Sequence, residues 1–169
     1  SIEIIDCSLK QLLNDVDSIM RPQAEQKDIE FTVTIETPVP EQIRTDPTRL
    51  RQCLLNLLGN AIKFTEEGYV YLEITGKEIP GKFEITINIK DTGIGMTEEQ
   101  CQTVFDRFSQ ADNSTTRKFG GTGLGLPITT HLVHMMEGAI HVTSEEGKGS
   151  TFRCEIQLPV DPEPHSDEI

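Results

Sequence analysis

Between Val70 and Ile89 the chain spells out a hairpin. Val70, Leu72 and Ile74 alternate with polar residues, and Phe83, Ile85, Ile87 and Ile89 alternate again after a Pro80-Gly81 turn. A period of two sends each apolar set to one side, so the pair predicts antiparallel strands with one face to be buried. Something must cover that face. Leu9, Leu12, Leu13, Val16, Ile19 and Met20 follow helical spacing, as do Leu50, Cys53, Leu54, Leu57, Leu58, Ala61 and Ile62. The second set lies in a predicted helix over 47–64, with Asp46 as its cap and Pro47 at its first position, where a missing N–H costs nothing. Phe31, Val33 and Ile35 alternate with threonines as another strand, broken by Pro38 and Pro40. Periodicity fades over 97–120. A third helix is predicted over 124–136, stopped by Gly138, and two last strands, 140–143 and 152–158, bracket a turn at 145–149. The tail from Asp161 is acidic and holds two prolines. We therefore read 1–160 as one domain and 161–169 as an acidic linker or tail.

Helices and strands do not alternate regularly, and hairpins dominate. The expected fold is a two-layer α/β sandwich: a mixed, mainly antiparallel sheet with helices on one face, rather than a doubly wound parallel sheet. The 169 residues suffice to bury a core. No apolar run approaches the roughly 18 residues of a membrane helix, so no direct membrane contact is expected of these residues. Fifteen basic against 28 acidic residues leave a net charge of -13. That balance argues against nucleic acid as a partner, because phosphate neutralisation supplies most of such affinity. Cys7, Cys53, Cys101 and Cys154 are scattered with no CxxC pair, which suits a reducing compartment such as the cytoplasm.

Three polar clusters carry chemistry. In the 47–64 helix, Asn56, Asn60 and Lys63 recur at spacings of four and three, so they share a face. Amide oxygens can ligate Mg²⁺, which keeps waters and substrate phosphates as its other ligands. A lysine one turn on could meet a phosphate. Taken alone, the three also fit a solvated helix face. Next, Asp91-Thr92-Gly93-Ile94-Gly95-Met96 follows the second hairpin strand. A carboxylate there can accept from the amino group of adenine, and the glycines let backbone approach a flat ring. The same residues also suit a capped turn into a helix near Thr97, with Glu98 and Glu99 in its first turn. The third cluster, Gly120-Gly121-Thr122-Gly123-Leu124-Gly125-Leu126, opens a helix whose N-terminal N–H groups suit a polyphosphate. It is neither GxxxxGK[ST] nor GxGxxG, which speaks against P-loop and dinucleotide-binding folds. Arg107 stands in Phe105-Asp106-Arg107-Phe108, and Arg117 and Lys118 come just before the glycines.

In this order, the Asn-x-x-x-Asn-x-x-Lys helix, DTGIGM, FDRF, GGTGLGL and GKGSTF together resemble the catalytic domain of two-component histidine kinases, over residues 1–160. LLNLLGNAIKFT and FSQADNSTTRKFGGTGLGLPI look particularly like hybrid sensor kinases. The resemblance implies a Bergerat-type ATP sandwich that binds ATP and Mg²⁺. It places Asn60 on the metal, with Lys63 and Arg117 or Lys118 on the phosphates. Asp91 would bind the adenine amino group, with Gly93, Gly95 and Met96 near the ring. Residues 97–120, with Arg107 among them, would form a mobile lid. Gly121, Thr122, Gly123, Leu124, Gly125 and Leu126 would face the phosphates, and Thr151 the adenine region. Asn56 stands where gyrase-type relatives place a glutamate that activates water. An amide cannot be a general base, so slow hydrolysis is implied. Pro127 replaces the small residue often found after GLGL, in a first helical turn that tolerates it.

The phosphoacceptor is missing. His131, His134, His141 and His165 lack the family's acceptor pattern, so the histidine is expected on a separate dimerisation domain of the same kinase. A response-regulator receiver domain would be an indirect partner. Two alternatives stay open: a self-contained ATPase of the gyrase or chaperone type, and a protein-binding module that has given up catalysis.

Overall fold

The structure, a computed structural model, describes residues 2–104 and 125–159. Strand β1 (Ile5–Cys7) leads into helix α1 (Leu9–Gln26), then come β2 (Glu30–Ile35), β3 (Ile43–Thr45) and α2 (Pro47–Lys63). The hairpin β4 (Tyr69–Ile79) and β5 (Lys82–Asp91) follows, then the short α3 (Glu98–Thr103). Helix α4 (Gly125–Met135) and the pair β6 (Gly138–Glu145) and β7 (Gly149–Pro159) complete the order. Five strands form one sheet in the order β2-β4-β5-β7-β6, and β1 pairs β3 apart from it. Among the described residues only the β2–β4 contact in the large sheet is parallel. The expected two-layer architecture holds.

The hairpin forms as its alternation demands. Leu72 faces Ile89 and Ile74 faces Ile87 across the ladder, and all four are buried. Val70 and Ile85 extend the same face, and β7 adds Cys154 and Ile156. Helix α2 lays Leu50, Cys53, Leu54, Leu57, Leu58, Ala61 and Ile62 onto it, every residue of the predicted stripe. Each large aliphatic side chain removed from water contributes on the order of 1.5–3 kcal/mol. The two predicted N-terminal devices of α2 are present. Pro47 occupies the first turn, and Asp46 Oδ1 accepts the Arg49 N–H at 3.0 Å while Oδ2 accepts that of Glu3 at 2.7 Å.

Three local features go beyond what the periodicity showed. Helix α1 continues past Met20, the last of the periodic apolar positions, through Pro22 to Gln26. The proline forfeits one ladder hydrogen bond. Arg21 offsets that loss by donating to the Phe31 carbonyl at 2.9 Å and stacking on the Phe31 ring, and Ala24 is fully buried. At the end of α4 the left-handed residue is Glu137 (φ 59°), not Gly138. Gly138 begins β6, and its glycine serves a close approach: a Cβ there would press on the Glu155 carbonyl and Val133. The strands β1 and β3, each three residues long, were not expected. Among the described residues no helix is long and apolar enough to cross a membrane, and all four cysteines are free thiols. Burial holds the Cys53 and Cys154 thiols up at about 12.

Candidate functional site

Sheet and helix layer meet around the carboxylate that ends β5. Asp91 stands opposite Val70 on one side and Ser150 on the other. Its Oδ1 accepts the Gly93 N–H at 2.8 Å and the Ser150 N–H at 3.2 Å. Both bonds engage the same oxygen, so among the described residues Oδ2 is left to meet a ligand. Burial raises the Asp91 carboxyl above its ordinary value, and the two backbone N–H donors pull it partly back. A half-buried carboxylate with one committed and one uncommitted oxygen is a receptor for an N–H donor.

The residues after Asp91 are stitched into place from two sides. From the helix layer, the Phe64 carbonyl at the end of α2 accepts the Ile94 N–H at 3.1 Å. Gly93 passes so close to that carbonyl that a Cβ would collide with it. From the sheet, the Ile94 carbonyl accepts the Gly147 N–H at 2.7 Å, and Ser144 Oγ accepts the Met96 N–H at 2.8 Å. Gly95 adopts φ 72° with its α-carbon against the Glu145 carbonyl, where a side chain has no room. Thr92 fastens the start of the loop: its hydroxyl donates to the Glu67 carbonyl at 3.1 Å and accepts the Tyr69 N–H at 2.9 Å. Met96 then precedes α3, whose Thr97–Gln100 capping box and first-turn Glu98 and Glu99 match the turn-and-helix reading of this stretch.

Helix α2 brings its polar residues to the same end of the sandwich. Asn56 is half-buried between α2 and α4 and donates to the buried Thr129 hydroxyl at 3.4 Å. Asn60 lies one turn on, half-buried, and Lys63 is exposed with its ammonium 5.9 Å from the Phe64 ring centre. The terminal carbonyls of this helix are capped by a residue that sequence reasoning missed. Lys27 Nζ donates to the Ile62 carbonyl at 2.7 Å and the Lys63 carbonyl at 3.1 Å. A cation there also meets the negative end of the helix dipole. No local spacing could have flagged it, since 36 residues separate Lys27 from Lys63.

Thr151 needs correction. It pairs with Lys90, on the opposite side of the pleat from Asp91, while Ser150 stands beside Asp91 and is buried. A slip of one residue along a strand exchanges faces. Gly125 and Leu126 open α4. Arg107, Arg117, Lys118, Gly121, Thr122, Gly123 and Leu124 lie outside the described residues, as do most of 97–120, His165 and the tail 161–169. His131, His134 and His141 are exposed. No group of three or more metal-ligating His, Cys, Asp or Glu occurs among the described residues.

Known proteins share this fold and much of this sequence. The model of the "Histidine kinase-, DNA gyrase B-, and HSP90-like ATPase" family matches residues 45–161, more than half of the chain. The autoinducer 2 sensor kinase/phosphatase LuxQ of Vibrio cholerae is 42% identical over 90% of the chain, and the signal transduction histidine-protein kinase BarA of Escherichia coli is 40% identical over 95%. The chain spans 18% of the length of each. Among solved structures, full-length ShkA in complex with AMPPNP matches with a TM-score of 0.79 at 35% identity, over 95% of this chain and 32% of that one. The catalytic domain of the histidine kinase ThkA matches with a TM-score of 0.68 at 26% identity, over 96% of this chain and 99% of that one. The chain therefore belongs to the histidine kinase-, DNA gyrase B- and HSP90-like ATPase family, and within it is the catalytic ATP-binding domain of a histidine kinase.

Proposed function

We propose that the chain binds Mg-ATP and donates its γ-phosphate to a histidine on a separate dimerisation domain of the same kinase, from which a response-regulator receiver domain would take it. The observation that carries this reading is Asp91. Among the described residues it offers one uncommitted carboxylate oxygen at the rim of the helix layer, next to a glycine loop that two independent elements hold in place. The amino group of adenine is the donor that fits it. In this reading Gly93, Gly95 and Met96 border the base, and Asn60 and Lys63 reach the phosphates from α2. Gly121, Thr122, Gly123, Leu124, Gly125 and Leu126 would supply N–H groups to the same phosphates. Arg107, Arg117 and Lys118 would add charge from a lid over 97–120.

Mg²⁺, when bound, would neutralise phosphate charge as the bond to the γ-phosphorus breaks. Asn60 is the residue that would hold it: a neutral amide oxygen, half-buried at the site end of α2. Asn56 donates to Thr129 and orders the α2–α4 seam. Carrying no basic group, it would leave water unactivated. The fragment's part in the transfer is then positioning and charge neutralisation. LLNLLGNAIKFT and FSQADNSTTRKFGGTGLGLPI support the hybrid type of sensor kinase, with this domain in the cytosol.

The test is transfer in trans. The isolated chain, incubated with labelled ATP and Mg²⁺, should not label itself. Mixed with its own histidine-bearing domain, it should produce acid-labile, alkali-stable phosphohistidine. The rate should rise with acceptor concentration, since the tether's effective concentration is missing. Self-labelling at His131, His134, His141 or His165 would overturn the separated-acceptor reading, and multiple turnover of ATP by the chain alone would favour a self-contained ATPase.

A further inference from the structure

Beside Asp91, a chain of hydroxyls decides which hydrogen-bonding character the pocket wall presents. Ser144 Oγ accepts the Met96 N–H at 2.8 Å, lies 2.9 Å from the Gly149 carbonyl and lies 2.8 Å from Ser150 Oγ. A carbonyl oxygen can only accept, so the single hydrogen of Ser144 goes to Gly149. The short Ser144–Ser150 contact then has one consistent polarity: the Ser150 hydroxyl donates its hydrogen to Ser144. Ser144 is thereby saturated, with two bonds accepted and one donated. Ser150, buried and next to Asp91, turns only lone pairs away from the pair.

We infer that Ser144 is a specificity-determining residue: by consuming the Ser150 hydrogen it makes the wall formed by Ser150 and Asp91 acceptor-only, so the site selects a 6-amino purine over a 6-oxo purine. This rests on the nucleotide reading above and adds to it a residue that need not touch the base. A 6-amino group meets acceptors and is bound. A 6-oxo group would face Asp91 Oδ2 and the Ser150 lone pairs, neither of which carries a hydrogen to give it. Without the Ser144 hydroxyl, the Ser150 hydrogen is released and can turn to a 6-oxo group. Ser144 also ties Met96 to β6, and loss of that tie would act on every nucleotide alike. The two roles therefore separate in a ratio.

The experiment measures ATP and ITP binding by calorimetry for the whole chain and its variants. Ser144→Ala should lower the ratio of ITP to ATP dissociation constants about tenfold, the worth of one hydrogen bond in a buried site, chiefly through tighter ITP. Ser144→Thr, which keeps the hydroxyl, should keep the wild-type ratio. The gain for ITP should vanish when Ser150→Ala is added. If Ser144→Ala does not fold, Ser144→Cys, a poor donor and poor acceptor, should move the ratio the same way. A ratio unchanged in the Ala or Cys variant, or an ITP gain that survives Ser150→Ala, overturns the relay while leaving the ATP site intact. No ATP binding by the wild type would instead remove the nucleotide reading and the relay with it.

Discussion

Replacing Asp91 by asparagine is the sharpest perturbation of the site, because the structure separates what the change keeps from what it loses. Oδ1 accepts from Gly93 and Ser150, and an amide oxygen in that position can accept both bonds. The loop therefore keeps its two ties to the side chain. Oδ2 becomes an NH₂ group, which presents a donor to the adenine amino donor. A hydrogen bond to a charged acceptor contributes about 1.5–3 kcal/mol, so ATP affinity should fall about ten- to a hundredfold. Stability should move the other way. The carboxyl is raised in the folded state, chiefly by burial. A raised carboxyl means that the folded chain binds the proton more tightly than the unfolded one. Its contribution to stability is then best below the ordinary value of 3.8 and declines as pH climbs through the raised value. At neutral pH the ionised form is a cost that asparagine removes, so Asp91→Asn should keep or raise Tm. The wild type should also lose ATP as the medium is acidified, with a midpoint above 3.8, and the variant should lack that titration. Calorimetry for affinity and thermal unfolding for stability read both effects. ATP affinity unchanged in the variant, or a fall in affinity matched by a fall in Tm, would refute the assignment of Asp91 to the base.

The other predictions concern the ends of α2. Asn60→Ala should weaken Mg-ATP several-fold more than metal-free ATP, and equal losses in titrations with and without Mg²⁺ would mean that Asn60 only supports the helix. Lys27→Met keeps the aliphatic stem and removes the two bonds to the Ile62 and Lys63 carbonyls. It should cost about 1 kcal/mol of stability, read by denaturant unfolding, and raise amide exchange in the last turn of α2.

Where a residue's fate is decided by neighbours in the chain, the sequence could be read directly. The β4–β5 hairpin, the α2 stripe and the Asp46-Pro47 start follow from periodicity and local hydrogen bonding. The place of Asp91 at the end of an apolar strand was legible from the alternation of Phe83, Ile85, Ile87 and Ile89 before it. What escaped depends on distant partners. Strands Ile5–Cys7 and Ile43–Thr45 are too short to show a period, and they exist because they pair with each other 38 residues apart at Asp6 and Arg44. Helix α1 continues past the apolar stripe that ends at Met20 because Arg21 and Ala24 hold it against β2 and the core. Thr151 was one position off because motif order fixes which strand lies beside Asp91 but not the register of the pleat. Ser144 gave no signal, since its importance lies in three contacts with Met96, Gly149 and Ser150.

The lone parallel pair in the sheet bears on how the chain reaches this state. Strands β2 and β4 are neighbours, yet the chain between them makes β3 and the whole of α2. Parallel neighbours cannot be joined by a tight turn, so this edge needs a long crossover, and here that crossover contains α2. The antiparallel strands β4 and β5 need no such crossover, since a short turn joins them. Loop entropy favours closing the β4–β5 hairpin, with its short turn, over the longer β2–β4 closure. The connection that closes the β2 edge is thus the one that carries Asn56, Asn60 and Lys63. A nucleotide that grips those residues would hold the same edge shut against unfolding.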